Sequence, residues 1–313
     1  MRVVSAAEID RVLDYPNLIR AIGEAFRGRV SAPPRHHHAI PRAGGEATLL
    51  LMPAWQEGES GGGFIGVKIV SVFPDNATRG KASVLGTYLL MAGDSGEPLA
   101  ALDGVALTLW RTAATSALVA ATLAPPQASH LAMIGAGAMA PKLIAAHASV
   151  RPITHVTIWN RSADRAARLA AEVAGPGLEV TATTDREAAI RAADIVSVAT
   201  LSRTPLVEGV WLKPGAHVDL VGAYTPAMRE ADDDAIRRAA VYVDTRAGMK
   251  ESGDIVQALA SGALTEDAIA GDLFDLARGT PPARPAGEGI TLFKSVGNAI
   301  EDLAAAVEVW RRV

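Results

Sequence analysis

The sequence predicts an α/β fold in which a doubly wound parallel sheet is joined to a second α/β domain. Three observations lead to this prediction. Short β-rich runs dominate residues 47–100, a long apolar helix ends at Pro125-Pro126, and apolar strands then alternate with Ala-rich helices. Helices that alternate with strands indicate a parallel, doubly wound sheet, and a proline pair interrupts a helix. We therefore expect the domain boundary between residues 125 and 126.

The composition is that of an enzyme of ordinary size. The 313 residues suffice for two domains, and 49% of them are hydrophobic. The net charge of −4 offers no basic surface for nucleic acid, and the absence of cysteine excludes disulfides, thiol nucleophiles and cysteine zinc sites. The charged N-terminus lacks a signal-peptide core, and no run approaches the roughly 20 apolar residues of a membrane span. We expect a cytoplasmic protein without nucleic-acid or membrane partners.

The first domain begins with helical periodicity from Ala6 to Arg27. Three strand-like runs follow, ATLLLMPAW, GFIGVKIVSVF and ASVLGTYLLM, with turn residues between them. A buried helix is predicted from Leu107 to Leu123. Glycine and proline concentrate from Gly58 to Gly63 and from Thr280 to Glu288, where we expect loops.

A glycine-rich turn lies between two strands at the start of the second domain. The apolar run from Leu131 to Ile134 leads into Gly135-Ala136-Gly137-Ala138-Met139-Ala140, a helix, and a second strand from His155 to Trp159. This is the layout of a Rossmann dinucleotide-binding unit, in which a pyrophosphate lies on bare N–H groups at a helix N-terminus. Gly135 permits the tight turn and Gly137 keeps side chains off the phosphates. The alternative is a glycine-rich structural turn.

The residues after the second strand, Asn160-Arg161-Ser162, favour NADP(H) over NAD(H). An NAD site usually has a carboxylate there for the ribose hydroxyls. An arginine can instead pair with a 2′-phosphate, which a carboxylate would repel. Alternatively, Arg161 only begins a solvated helix that continues with Asp164 and Arg165.

Further runs, LEVTATT, DIVSVAT, HVDLVGA and VYVDTR, extend the predicted sheet, with helices from Ala163 to Ala174 and from Arg186 to Ala193. Ligands bind at the carboxyl ends of such strands. The positions to examine there are Thr200, Ala223, Tyr224 and Thr225. The closing helix has an apolar stripe that indicates core, formed by Val296, Ile300, Leu303, Val307 and Trp310.

Two cations interrupt apolar sequence, Lys68 in a strand and Arg111 in a helix. Buried Lys and Arg require anionic partners, so the pair suggests a clamp for a substrate carboxylate. The alternatives are that Lys68 faces water and that Arg111 pairs with a carboxylate such as Asp103. His36-His37-His38 predicts no metal site, because neighbours on a strand face opposite ways and no acidic or cysteine partner accompanies them.

Several segments resemble the ornithine cyclodeaminase/μ-crystallin family, and together they span essentially the whole chain. They are GVKIVSVFPDN, LDGVALTLWRTAATSALVAATLA, MIGAGAMA, VGAYTPAMREAD, VYVDTR and ITLFKSVGNAIEDLAAA. The resemblance implies a homodimer. In it, residues 1–125 and 296–313 form a substrate-binding and dimerisation domain, and residues 126–295 form the Rossmann NAD(P)-binding domain. Family members act on small α-amino or α-imino acids.

The resemblance also assigns site residues. Arg35, Lys68 and Arg111 are expected to hold the substrate carboxylate. The residues expected at the cofactor are Ser83, Arg111, Gly135, Gly137, Ala138, Met139, Asn160, Arg161, Ser162, Thr200, Val221, Gly222, Lys294 and Ser295. Cyclodeaminases resemble VGGD and use that aspartate as acid/base, whereas this chain has Val221-Gly222-Ala223-Tyr224. Tyr224 therefore joins Lys68 and Arg111 as a candidate catalytic residue.

The replacement of that aspartate favours reduction over cyclodeamination. A cyclodeaminase needs a positioned acid/base, and tyrosine is a poor base near neutral pH. A protonated imine needs only a carboxylate anchor and a hydride held close. The predicted function is NADPH-dependent reduction of Δ1-pyrroline-2-carboxylate or Δ1-piperideine-2-carboxylate to proline or pipecolate. The alternatives are an ornithine cyclodeaminase that recycles NAD and a non-catalytic binder of NADPH and a small ligand.

Overall fold

The computed structural model describes residues 1–42, 47–57, 62–280 and 289–313. Most of the two predicted loops, Gly58 to Gly63 and Thr280 to Glu288, lies outside these residues. The chain forms two compact units. Unit 1 comprises Met1–Thr112 and Asn298–Val313, and unit 2 comprises Ala113–Gly297. The units divide within a helix, whereas the predicted domains change at the prolines that follow it.

Ten α-helices and fifteen strands form within the described residues. The helices are α1 Ala6–Val12, α2 Tyr15–Arg27, α3 Gly104–Leu123, α4 Met139–Val150, α5 Ala163–Val173, α6 Arg186–Ala192, α7 Asp233–Arg238, α8 Gly253–Ser261, α9 Leu273–Arg278 and α10 Ala299–Trp310. The strands are β1 Arg2–Val4, β2 Val30–Ser31, β3 His36–Ile40, β4 Ala47–Gln56, β5 Phe64–Val72, β6 Val84–Ala92, β7 Pro98–Asp103, β8 His130–Ile134, β9 His155–Trp159, β10 Glu179–Thr183, β11 Ile195–Val198, β12 His217–Leu220, β13 Ala239–Val243, β14 Ile269–Asp272 and β15 Ile290–Lys294.

Unit 1 is built on a mixed sheet of order β1-β7-β6-β5-β4-β2, with β3 also paired to β4. The three predicted strand runs of this unit are confirmed as β4, β5 and β6. Helix α10 packs against α2 and against β4, β5 and β6. It is buried on all sides from Ala299 to Val309, as expected for a helix with few polar positions.

The helical periodicity predicted from Ala6 to Arg27 is confirmed, and it is divided between two helices. The chain forms two helices, because Asp14 ends the first periodic segment and caps the second by accepting a hydrogen bond from the Asn17 backbone N–H at 3.0 Å. Pro16 follows in the first turn of α2, where its missing N–H costs nothing.

Unit 2 is a wholly parallel sheet of order β10-β9-β8-β11-β12-β15-β13-β14. This confirms the predicted doubly wound sheet. From β8 the chain moves outward through β9 and β10, then returns to β11 on the other side of β8. The carboxyl ends of β8 and β11 therefore flank the switch point at which ligands bind in such sheets. Strand β15, which the sequence patterns did not identify, lies between β12 and β13.

Helix α3 has the length and composition of a membrane span, with a mean hydropathy of 1.2 in its most apolar window. The expectation that no run approaches that composition is therefore wrong. Within the protein, 72% of this window is buried. The helix also carries Arg111, whose charge is paired inside unit 1, so its apolar character is accounted for by packing in the core.

Candidate active site

The glycine-rich turn after β8 requires its first glycine. Gly135 has φ +116, and a Cβ there would lie 2.6 Å from the backbone oxygen of Ala199. The Gly135 N–H donates to the backbone oxygen of Trp159 at 2.8 Å, which ties the turn to the end of β9. The predicted reason for Gly135, a tight turn, thus agrees with both its φ angle and its close neighbour.

Gly137 has a different role. A Cβ at Gly137 would meet no atom within 4 Å among the described residues, chain neighbours aside. Helix α4 begins directly after this space, and its N-cap, Ala138, provides no side-chain hydrogen bond to the first-turn N–H groups. A helix N-terminus beside open space fits the pyrophosphate of a dinucleotide, because the helix dipole favours negative charge there.

The residues predicted to select the nucleotide follow the end of β9. Arg161 and Ser162 are exposed, and Asn160 is half-buried with its Nδ2 donating to the backbone oxygen of Ser162 at 3.0 Å. Ser162 is the N-cap of α5, yet its side chain makes no capping hydrogen bond. An accessible guanidinium, a hydroxyl and a helix N-terminus therefore lie together, and this combination can bind a phosphate.

A buried cluster of charges in unit 1 contains Lys68 and Arg111. Lys68 on β5 is 3% exposed and Arg111 on α3 is 5% exposed. The Lys68 Nζ lies 2.9 Å from Oδ1 and 2.7 Å from Oδ2 of Asp302. The Arg111 Nε donates to Asp302 Oδ1 at 3.0 Å, and its Nη1 donates to Glu301 Oε2 at 2.7 Å. One carboxylate thus joins both cations.

The two alternative interpretations, a solvent-facing Lys68 and an Arg111 paired with Asp103, are wrong. Lys68 does not face water, because its side chain is enclosed between the sheet and α10. Arg111 pairs with carboxylates of α10 rather than with Asp103. The Asp103 Oδ1 instead accepts from the backbone N–H groups of Val105 and Ala106 and so caps α3.

The charges of this cluster shift one another's pKa. Burial lowers the pKa of Lys68 to about 8, while Asp302 acts to raise it and the charges of Arg111 and Arg35 lower it further. Burial alone would raise the pKa of Asp302, but Lys68, Arg111 and Arg35 hold that pKa below its ordinary value. Arg35, which is half-buried, thus acts electrostatically on both Lys68 and Asp302.

Glu301 and Asp302 were missed by the sequence reasoning, although a signal was present. Both residues interrupt the apolar helix α10 and are 0% exposed. This is the same pattern, a charge within apolar sequence, that singled out Lys68 and Arg111. The closing helix was assigned to the core from its apolar stripe, and its two carboxylates were not weighed as partners for the cations.

Other predicted cofactor residues lie at the carboxyl ends of unit 2 strands. Thr200, Val221 and Gly222 are half-buried after β11 and β12. Ser295 is 2% exposed, and its N–H donates to the backbone oxygen of Leu220. Lys294 is 1% exposed, with its Nζ 3.4 Å from Asp254 Oδ2 and 3.8 Å from Glu230 Oε2. The Lys294 ammonium thus faces two buried carboxylates, and the cofactor contact predicted for Lys294 stays a prediction.

Two predicted site residues have more open surroundings. Tyr224 follows β12 and is 40% exposed. Ser83 lies in unit 1 just before β6, where it is half-buried and its Oγ donates to the backbone oxygen of Pro74 at 3.4 Å. The roles assigned to both residues stay predictions.

Comparison with known proteins gives matches over the full chain. The model of the ornithine cyclodeaminase/mu-crystallin family matches residues 1–313. A Δ1-pyrroline-2-carboxylate reductase from Paracoccus denitrificans is 40% identical, over 84% of this chain and 83% of its own. A protein of the same name from Colwellia psychrerythraea is 35% identical, over 99% and 98%. The structure of Thermococcus litoralis Δ1-pyrroline-2-carboxylate reductase in complex with NADH and L-proline aligns with a TM-score of 0.92 and 30% identity, covering 100% of this chain and 97% of that chain.

Proposed function

The chain belongs to the ornithine cyclodeaminase/mu-crystallin family, and we propose that it is an NADPH-dependent reductase of cyclic α-imino acids. Its substrate is Δ1-pyrroline-2-carboxylate or Δ1-piperideine-2-carboxylate, and its product is proline or pipecolate. Two relatives at 40% and 35% identity are named Δ1-pyrroline-2-carboxylate reductases, which supports this substrate class.

The observation that carries the proposal is the buried pair of cations in unit 1, Lys68 and Arg111, which Asp302 joins. We assign Lys68, Arg111 and Arg35 to the substrate carboxylate, because guanidinium and ammonium groups bind a carboxylate through charge-assisted hydrogen bonds. Arg111 is held in place by Glu301 and Asp302 at 2.7 and 3.0 Å, so its orientation is set before substrate arrives. A prepositioned clamp reduces the entropy lost when the imine is oriented for reaction.

The cofactor, when bound on the turn from Gly135 to Ala140, supplies the hydride that reduces the imine carbon. We assign NADPH as the preferred form because Arg161 and Ser162 are accessible where the 2′-phosphate is expected. Asn160 stands there in place of the carboxylate usual in NAD sites, so no negative charge at that position opposes the phosphate.

Lys68 is the residue of the clamp that can also move a proton. Its pKa of about 8 keeps the ammonium charged at neutral pH, while burial makes the proton easier to lose than that of a solvated lysine. A protonated imine brings its own proton, so Lys68 is needed as a donor only when the neutral imine binds. Tyr224, at the position of the cyclodeaminase aspartate, stays a candidate catalytic residue beside Lys68.

The test is a set of parallel assays on the purified protein. NADPH oxidation is followed with each of the two cyclic imines, and ornithine with NAD is assayed for ammonia. We expect rapid oxidation that depends on the imine, proline or pipecolate as product, and no ammonia from ornithine. Ammonia and proline from ornithine without net cofactor use would overturn the proposal in favour of a cyclodeaminase. Cofactor binding without turnover of either imine would overturn it in favour of a non-catalytic binder.

A further inference from the structure

Glu230 is a fully buried carboxylate in unit 2 that the sequence reasoning did not identify. It is 0% exposed and lies just before α7, in the segment VGAYTPAMREAD. Its Oε1 accepts from the Thr200 backbone N–H at 2.7 Å and from the Thr200 Oγ1 at 2.8 Å. Thr200 begins the turn after β11, so this oxygen fixes the backbone at the end of that strand.

The other oxygen of the same carboxylate fixes the end of the neighbouring strand. Oε2 of Glu230 accepts from the backbone N–H groups of Gly222 at 2.8 Å and Ala223 at 3.1 Å, in the turn after β12. The two turns are in close contact, because a Cβ on Gly222 would lie 2.0 Å from the backbone oxygen of Thr200. One side chain therefore sets the separation of two adjacent strand ends.

Glu230 is itself held from two other elements. The Asp254 Oδ1, on α8, accepts from the backbone N–H groups of Glu230 at 2.7 Å and Ala231 at 3.1 Å. The Lys294 Nζ, on β15, lies 3.8 Å from Glu230 Oε2 and 3.4 Å from Asp254 Oδ2. These contacts explain why an ion-paired lysine is buried at the end of β15. It stabilises the charge of the carboxylate that joins the two turns.

We propose that Glu230 is a positioning residue that holds the turns after β11 and β12 in the geometry required by the nicotinamide half of the cofactor. This inference rests on the proposed function. The turns contain Thr200, Val221 and Gly222, which are candidate cofactor residues, and they lie at the strand ends where ligands of doubly wound sheets bind. We expect the adenosine half, on the turn after β8 and at Arg161, to depend less on Glu230, because Glu230 hydrogen-bonds to neither.

The charge state of Glu230 matters because all four of its hydrogen bonds are accepted from N–H or O–H groups. Burial raises the pKa of Glu230 to about 7, opposed by Lys294 and reinforced by Asp254. Protonation places an O–H against one of these donors and removes an acceptor, which loosens one turn. Affinity for the nicotinamide half should therefore fall as the pH falls through about 7.

The experiment compares two ligands by calorimetry, NADP⁺ and 2′,5′-ADP, which lacks the nicotinamide. In Glu230→Gln, an amide NH₂ replaces one acceptor and faces a donor. We expect the Kd of NADP⁺ to rise about tenfold while that of 2′,5′-ADP stays within about twofold of wild type. Unchanged NADP⁺ affinity, or equal losses for both ligands, would overturn the inference. If the wild type bound neither ligand, the proposed cofactor would fail instead.

Asp219→Asn provides a matched control. Asp219 is equally buried on β12 and accepts from Ser116, Ser197 and His147, but it contacts neither turn. The Asp219→Asn substitution should lower the Tm and leave the ratio of the two Kd values unchanged. If Glu230→Gln does not fold, the pH dependence of the wild-type protein still tests the role of Glu230. Its NADP⁺ affinity should fall relative to 2′,5′-ADP below pH 7, and a constant ratio would contradict the inference.

Discussion

The clamp in unit 1 and the dinucleotide turn in unit 2 recognise negative charge by opposite means. The clamp uses whole charges, Lys68 and Arg111, removed from water and joined by Asp302. The turn uses the N-terminus of α4 beside the open space at Gly137. A clamp built of buried charges depends on its own counter-ions, whereas a turn built of backbone depends only on the absence of side chains.

We expect the largest loss of activity from a substitution at Arg111. Arg111→Lys keeps the charge but cannot reach Glu301 and Asp302 together, so the guanidinium fork that orients the substrate is lost. We expect kcat/KM for the imine to fall by roughly a hundredfold to a thousandfold, about 3 to 4 kcal/mol. Steady-state kinetics on a folded variant measure this.

The control for Arg111→Lys is Arg312→Lys. Arg312 also pairs with two carboxylates, Asp14 and Glu308, but its side chain is 28% exposed. Because partly exposed ion pairs contribute little, kcat/KM should stay within about twofold of wild type. Equal losses in the two variants would show that the clamp is not the source of the effect.

The next effect tests the turn. A Cβ at Gly137 meets no described atom within 4 Å, chain neighbours aside, so the fold should tolerate Gly137→Val, but the side chain fills the space assigned to the pyrophosphate. We expect an unchanged Tm and a Kd for NADPH that rises about a hundredfold. Gly135→Ala should instead lower the Tm. Its φ of +116 is unfavourable for a side chain, and a Cβ there would lie 2.6 Å from the backbone oxygen of Ala199. A large Tm loss in Gly137→Val would contradict this division of roles.

The dinucleotide turn and the clamp differ in how well the sequence predicts them. The turn was identified because its strand, glycines and helix are contiguous, and the whole-chain resemblance and the fold class are confirmed. The two cations were identified as charges in apolar sequence, but their partners were not, since Asp302 lies 234 residues from Lys68. Only the packing of α10 on the sheet brings them together.

Some local details were not registered by the sequence patterns. The break between α1 and α2 depends on capping by Asp14, which the apolar spacing does not register. Lys294 was assigned to the cofactor from its place in a motif, and the motif did not indicate that its charge also faces Glu230 and Asp254 from other segments. Both cases show that patterns along the chain predict where an element lies better than they predict what its polar side chains contact.

The pH dependence of catalysis sharpens the account of Lys68. The folded-state pKa of about 8 lies below the ordinary value of 10.5, so the charged form present below pH 8 is lost as the pH rises through 8. We expect kcat/KM for the imine to fall about tenfold per pH unit above that point. In Lys68→Arg the charge persists, and the fall should move to higher pH. If kcat/KM of Lys68→Arg fell at the same pH as that of the wild type, the fall would belong to the imine or to another group.

The smallest effect is expected at Arg161, which is exposed and therefore screened by solvent. Arg161→Ala should raise the Kd of NADPH about tenfold and leave that of NADH unchanged, because only NADPH carries the 2′-phosphate. Arg168→Ala, on the exposed side of α5, serves as the control and should change neither. Equal weakening of both cofactors by Arg161→Ala would contradict the assigned contact.

The most direct test of the reductase assignment follows the hydride itself. NADPH labelled with deuterium at the nicotinamide C4, in each of its two epimers, is incubated with the protein and Δ1-pyrroline-2-carboxylate, and the proline is analysed by mass spectrometry. The account predicts deuterium at the proline Cα from one epimer only, with NADP⁺ formed in equal amount. Unlabelled proline from both epimers, or no proline at all, would contradict it.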